Sequence, residues 1–406
     1  MTSRVSLLSS TAIAAAAIVF AGASASAASM DALEKRVKAL EKAGAGKSVS
    51  RSKKTMKLTV SGHLNRQIQY VDDGVNSEFR HTTNQQSRSR VRWVGTGKLT
   101  DDISVRTLIE FGNSDAISSG QSLQADENNG NGTTSGTFDT RHIDLQLTSK
   151  SMGKLYLGHG SEGADGVTGA GDLSGTLVAL SGGADESLTG SASFRTTAGA
   201  VVGVTTRNGS DELDAGRIDR VRYDTPKFAG FQLRGSHGNQ DVTSVALQYG
   251  GSFSGVKVKA AIGYKNDPRL FDATQPAVGR GDSSQETVNG SIGVLLPMGL
   301  SFQFAAGSRD FNVVGVNDAD MRYGRIGYRF KGSELGETRL AIAYNNGEDF
   351  RANGDDLEVI SAAVVQIIEP LGAELYAVYN NYDLERTGTT SIEDIDMVSV
   401  GLRVKF

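Results

Sequence analysis

From Lys57 to Phe406 the chain alternates apolar and polar residues with a period of two, and this pattern limits the fold more than any other feature. Leu58, Val60, Leu64, Ile68 and Tyr70 alternate with Thr59, Ser61, His63, Asn65, Gln67 and Gln69. The pattern recurs in Val91-Arg92-Trp93-Val94, in Ile143-Asp144-Leu145-Gln146-Leu147, in Leu300-Ser301-Phe302-Gln303-Phe304 and in the closing Val398 to Phe406. Strict alternation describes strands with one wet and one apolar face. The connections alternate too. Short turns such as 98–102, 149–153, 226–230, 251–255, 297–299 and 370–372 lie on one side, and longer polar loops such as 71–86, 113–137, 265–284 and 310–320 on the other. Counting segments gives about sixteen strands, the pattern of a transmembrane antiparallel β-barrel. That leaves about 22 residues per strand and half-connection, room for strands of about 10 residues crossing a bilayer at a tilt.

Closure follows from the solvent. In hydrocarbon each backbone donor and acceptor needs an internal partner, so an open sheet edge is excluded. A soluble sandwich or propeller could share the alternation. The consistently short turns on one side and an alternating strand ending on the apolar Phe406 argue against it. The predicted fold class is therefore all-β, a barrel domain over 57–406.

Ahead of it, residues 1–27 read as a secretory signal. Arg4 supplies the positive start, Leu7 to Val19 the apolar stretch and Ala25-Ser26-Ala27 a small-residue cleavage site. Residues 28–46 contain the one helical periodicity: Met30, Leu33, Val37 and Leu40 are spaced as a coiled-coil seam. Two heptads are marginal alone, so the segment is either a frayed amphipathic tail or a helix formed where copies meet. Residues 47–56 are a linker. Gly46-Lys47-Ser48 imitates the end of a phosphate-binding loop, but residue 41 is Glu and no strand precedes it.

The chain has 406 residues, no cysteine and a formal charge of -4. Disulfide frameworks and thiolate metal sites are excluded, and the mild charge makes nucleic acid a poor partner. The five histidines, His63, His81, His142, His159 and His237, are scattered over different segments with no nucleophile paired by spacing. Asp126 to Gly132 lacks the ligand spacing of a calcium loop. The expectation is no enzyme, no metal and no cofactor.

One connection stands out. Residues 161–216 run for more than fifty residues rich in Gly, Ser, Thr and Ala, with the scattered acids Glu162, Asp165, Asp172, Asp185 and Glu186. Loops of this length in a compact domain are usually functional or disordered. With Val91 and Trp93 facing lipid, parity turns Arg88, Arg90 and Arg92 to the lumen. With Val221 and Tyr223 outward it turns Arg220 and Arg222 inward, and Arg106, Glu110 and Arg234 follow by the same count. An acidic loop folded against a basic wall makes a charged constriction in a wide tube, aligning small polar solutes and rejecting bulky apolar ones. Two residues break the pattern. Arg141 shares parity with Ile143 and Leu145, so either a bulge re-aims it or His142 and Asp144 line the lumen in its place. Arg66 falls on the lipid face, where a mid-depth charge costs about 2–4 kcal/mol; either a subunit interface relieves that cost or the register is off.

Several segments together resemble the trimeric general porins of Gram-negative outer membranes, particularly an alphaproteobacterial branch. They are Thr59-Val60-Ser61-Gly62-His63, Ser89-Arg90-Val91-Arg92, Gly153 to Gly158, Asp172-Leu173-Ser174-Gly175-Thr176 and Arg220 to Phe231, in that order. The resemblance implies an outer-membrane, water-filled channel for passive diffusion of ions and small hydrophilic solutes, narrowed by an inward-folded third loop. It also implies a homotrimer in contact with outer-membrane lipid. Arg90 and Arg220 or Arg222 would be its wall arginines, with His63 at a pore-lining position and Phe406 as the signal read by the assembly machinery. A solute-specific channel and a structural or adhesive barrel are the competing readings.

Overall fold

The computed structural model describes residues 56–113, 138–180, 192–269, 284–389 and 391–406. The expected export signal, the helix at 28–46 and nearly all of the linker lie outside the described residues. Nineteen strands are assigned among the described residues. The first six are β1 Met56–Asp72, β2 Ser77–Thr83, β3 Arg90–Lys98, β4 Ile103–Asn113, β5 Phe138–Ser149 and β6 Gly153–Ser161. Then come β7 Ser193–Arg195, β8 Val201–Thr205, β9 Arg217–Asp224, β10 Phe231–Gly238, β11 Thr243–Phe253, β12 Val256–Asp267 and β13 Gln285–Leu295. The last are β14 Leu300–Asp310, β15 Ala319–Ser333, β16 Gly336–Glu348, β17 Asp355–Ile368, β18 Ala373–Arg386 and β19 Ile395–Lys405.

The wall strands run antiparallel in chain order, and β19 returns to pair with β1, Leu64 facing Val404 and Ile68 facing Val400. That pairing removes both sheet edges, as hydrocarbon requires. β2 and β3 both pair with β1 and form one wall strand interrupted at 84–89. The barrel therefore has sixteen wall strands, and β7 and β8 form a separate hairpin. The outer face carries the expected apolar set: Val60, Leu64, Ile68, Leu157, Ile262, Phe304 and Ile342 are each about half exposed or more. Turns at one end are tight, for example Ser254-Gly255 between β11 and β12, where both residues take positive φ (48° and 82°) as a primed hairpin turn demands. The loop expected over 71–86 is shorter than the sequence suggested. β1 extends to Asp72 and β2 starts at Ser77, because this outer hairpin pairs through polar residues that hide the alternation.

Arg66 is exposed on the outer face, as parity required, and its Nη1 donates to Thr83 Oγ1 at 2.8 Å.

The inner face is not polar all round. On β15 to β19 the inward residues Met321, Tyr323, Leu357, Val359, Val365, Tyr376, Tyr382, Ile395 and Met397 are all buried. Covering them are Val178, Ala179, Leu180, Phe194 and Val204 from the segment between β6 and β9. Apolar surface of this extent inside an aqueous tube would be unfavourable by roughly 25 cal/mol per Å², so the long loop docks on it. One side of the barrel is thereby filled by a hydrophobic core.

Candidate pore constriction

The segment between β6 and β9 leaves the wall at Ser161 and returns at Arg217. Its path is fixed by wall side chains that grip its backbone. At the end of β6, Arg220 donates to the carbonyls of Gly158 (2.8 Å) and Ser161 (3.0 Å), and Arg222 donates to that of Glu162 (3.0 Å), the first loop residue. Arg234 donates to the Asp165 carbonyl at 3.1 Å. Further round the wall, Ser291 Oγ donates to the Val167 carbonyl, Gln303 to that of Thr168, and Arg339 to that of Gly175. Where the loop is outside regular secondary structure its carbonyls need partners once water is excluded, and guanidinium groups with five donors each suit that task.

The loop carboxylates follow the same logic. Glu162 pairs with Lys265 on β12 at 3.1 Å, and Asp172 with Arg325 on β15 at 3.1 Å. Asp214, in the returning limb and outside the spanning strands, accepts the backbone N–H groups of Val167 and Thr168, the Thr168 hydroxyl and the Asn289 amide, at 2.7 to 3.0 Å. Burial, and then the nearby Asp165 charge, raise the Asp214 carboxyl above an ordinary aspartate, while the Thr168 and Val167 donors pull it down. Asp185 and Glu186 lie outside the described residues.

A second group of charges occupies β3, β4, β5 and β9, away from the docked core. Glu110, 3 % exposed, pairs with Arg92 at 2.7 Å, Arg141 at 2.8 Å and Arg90 at 3.4 Å. Arg141 joins this group through a β-bulge. Glu110 faces His142 and Phe111 faces Thr140, leaving Arg141 as the extra residue of β5. The first alternative, a bulge that turns Arg141 inward, is what β5 shows. Asp144 lies on the inner face against Arg220 at 2.9 Å, and His142 Nε2 accepts from Arg217 Nε at 3.3 Å. Arg88 pairs with Asp139 at 2.8 Å. His63 lies against the Arg88 carbonyl oxygen at 3.0 Å. Arg106 faces Thr96 and Gln146 across the ladder, toward the short-turn end.

The structure thus separates most of the expected site residues into two sets, with His63 and Arg106 in neither. Arg88, Arg90, Arg92, Glu110 and Arg220, with Arg141, Asp144 and Arg217, form an arc on one part of the wall. Arg222, Arg234, Glu162, Asp165 and Asp172 belong to the docking of the loop. Sequence reasoning missed Lys265, Asn289, Arg325 and Arg339 as loop anchors. Their signal was present, since a polar residue recurs on the inner parity of each of those strands, but nothing local distinguished an anchor from a hydrated lumen residue.

The sequence matches the profile of the Gram-negative porin family over residues 12–387. The chain belongs to the Gram-negative porin family. No curated protein matches it. Among solved structures the porin is similar to the anion-selective porin from Comamonas acidovorans, with a TM-score of 0.58 and 16 % identity over 86 % of this chain and 100 % of that one. It is similar to in-vitro folded OmpT, an outer membrane protein of Vibrio cholerae, with a TM-score of 0.57 and 15 % identity over 89 % and 100 %. It is also similar to Salmonella typhi OmpF in complex with daunomycin, with a TM-score of 0.53 and 13 % identity over 86 % and 98 %. At such identities the likeness is one of fold. Family and closed barrel together make the porin a passive channel of the outer membrane.

Proposed function

We propose that the porin conducts small hydrophilic solutes and ions through an off-centre lumen with a preference for anions. The observation that carries this reading is the charge count of the arc. Among the described residues, Arg88, Arg90, Arg92, Arg141 and Arg220 pair there with the carboxylates of Glu110, Asp139 and Asp144, and Arg217 adds a sixth cation beside His142. The docked loop is held by side chains on β10 and β12 to β16 and packs on β15 to β19, while the arc lies on β3, β4, β5 and β9. A net positive wall in a narrow, low-dielectric passage raises the local anion concentration. Among similar folds, the Comamonas acidovorans porin is described as anion-selective, which agrees with the sign.

The porin's working form in this reading is a homotrimer. One similar OmpT structure is a trimer form, and an outward Arg66 is less costly at a subunit contact than in lipid. Residues 1–27 direct export, Phe406 is read by the assembly machinery, and the protein acts without catalysis. Reversal potential in a potassium chloride gradient across a planar bilayer tests the preference. A potential of the sign set by chloride is expected, and one set by potassium would refute the anion reading.

A further inference from the structure

The arc has more hydrogen-bond donors than its carboxylates can use. Glu110 Oε1 takes both Arg90 and Arg141, and Oε2 takes Arg92. Three guanidinium groups, with five donors each, thus converge on one carboxylate whose two oxygens offer about four acceptor positions. Buried Nε donors remain on Arg88 and Arg92 with no hydrogen-bond partner among the described residues. Arg88 itself is only 8 % exposed. Arg217 lies near enough for its charge to act on both Arg90 and Arg141. The local sum is positive, donor-rich and preorganised by the β5 bulge.

We infer that this arc is a saturable binding site for compact oxyanions of the phosphate type, with the Glu110 carboxylate as its resident competitor. A planar, forked guanidinium pairs two donors with two oxygens of one anion. A tetrahedral oxyanion offers several such oxygen pairs at once, so it can bridge neighbouring arginines where a chloride ion accepts diffusely. Glu110 holds Arg90, Arg92 and Arg141 in place and also occupies their common focus. Affinity is therefore weak enough for a bound anion to leave, which a conducting channel requires. The inference deepens the anion-preferring reading above and rests on the arc lining the lumen.

The test is single-channel recording of the purified porin in potassium chloride with increasing inorganic phosphate. Wild-type chloride current is expected to fall along a saturating curve. Glu110→Gln keeps the side-chain shape and removes the competing charge, so its half-inhibiting phosphate concentration should drop about tenfold, equivalent to about 1.4 kcal/mol. Arg141→Gln should raise that concentration, and Arg322→Gln, on the outer rim, should leave it unchanged. A wild-type current that declines without saturation, or a Glu110→Gln channel no more sensitive than wild type, would overturn the site. If Glu110→Gln fails to assemble, an unchanged phosphate response in Arg141→Gln overturns it equally. A potassium-set reversal potential in chloride alone would instead refute the anion preference, so the two failures are distinguishable.

Discussion

Arg141 Nε donates to Glu110 Oε1 at 2.8 Å although strict alternation would put Arg141 on the lipid face beside Ile143 and Leu145. The extra residue in β5 between His142 and Thr140 turns Arg141 inward. A bulge of this kind re-aims one side chain at the expense of one ladder position. Here it adds a third guanidinium to a carboxylate already held by Arg90 and Arg92. The charge excess of the wall thus depends on a backbone irregularity that residue types alone do not reveal.

Replacing Arg90 and Arg92 together with glutamine removes two of the three cations on Glu110 and leaves the arc with four arginines against three carboxylates. The ratio of anion to cation permeability should fall, several-fold at low salt and less at high salt because screening shortens the range of the wall charge. Reversal potentials at two ionic strengths measure both effects. An unchanged ratio would show that the two side chains lie off the conduction path.

Phe194 is fully buried between the loop and the inner wall. Phe194→Ala should weaken loop docking by about 3–5 kcal/mol, the range for truncating a buried aromatic residue. The closed wall does not depend on this contact, so the barrel should still assemble. Liposome swelling should then quicken for sugars that the wild-type channel admits slowly. Equal swelling rates would mean that the docked loop does not set the aperture.

Gly293 on β13 meets the loop at Gly171, and a Cβ on Gly293 would overlap the Gly171 carbonyl oxygen. Gly293→Val must therefore push the short 3-10 turn Thr168–Gly171 off the wall, with an overpacking cost of about 1–3 kcal/mol. Faster amide exchange at Gly171, whose N–H donates to Ser291 Oγ at 3.0 Å, is the expected result. Exchange as slow as in the wild type would contradict the contact.

Asp214 makes loop docking depend on pH. Its carboxyl is raised by burial to about 7, whereas an undocked aspartate ionises near pH 4. Between those values the docked loop holds a proton that the released loop has lost, so docking is strongest below the window and weakens as pH rises through it. Amide exchange at Val167 and Thr168 should accelerate across that range beyond the intrinsic pH effect. Asp214→Asn has no proton to lose, and retention of the same pH slope in that variant would exclude Asp214 as the cause.

Much of the barrel was legible because lipid and water impose a period of two on every strand that separates them. The inward parity of Arg88, Arg90, Arg92, Arg220 and Arg222 followed from that alone. The loop's destination was not. Val178, Ala179, Leu180, Phe194 and Val204 are sparse among small polar residues, and each looks incidental until the inner face of β15 to β19 is seen as their counterpart. A trace of that counterpart does exist in Val359-Ile360-Ser361-Ala362-Ala363-Val364-Val365, where alternation gives way to a nearly continuous apolar run. Such a run marks a strand covered on both faces, which in a barrel means lipid outside and protein inside. Pairing of Glu162 with Lys265 and of Asp172 with Arg325, in preference to the arc, was beyond reach for a simpler reason: the loop's path chooses which cation each acid meets.

The hydrophobic core inside the barrel also orders events in time. Phe194 and Leu180 are made well over a hundred residues before Tyr323, Leu357, Tyr376 and Met397, the partners that bury them. Contacts so distant along the chain form late and slowly. Until those strands stand in the wall, Val178, Leu180 and Phe194 lack the apolar face that buries them. Seating of the loop is thus coupled to closure of the wall, and a barrel lacking β15 to β19 would be a hole rather than a sieve.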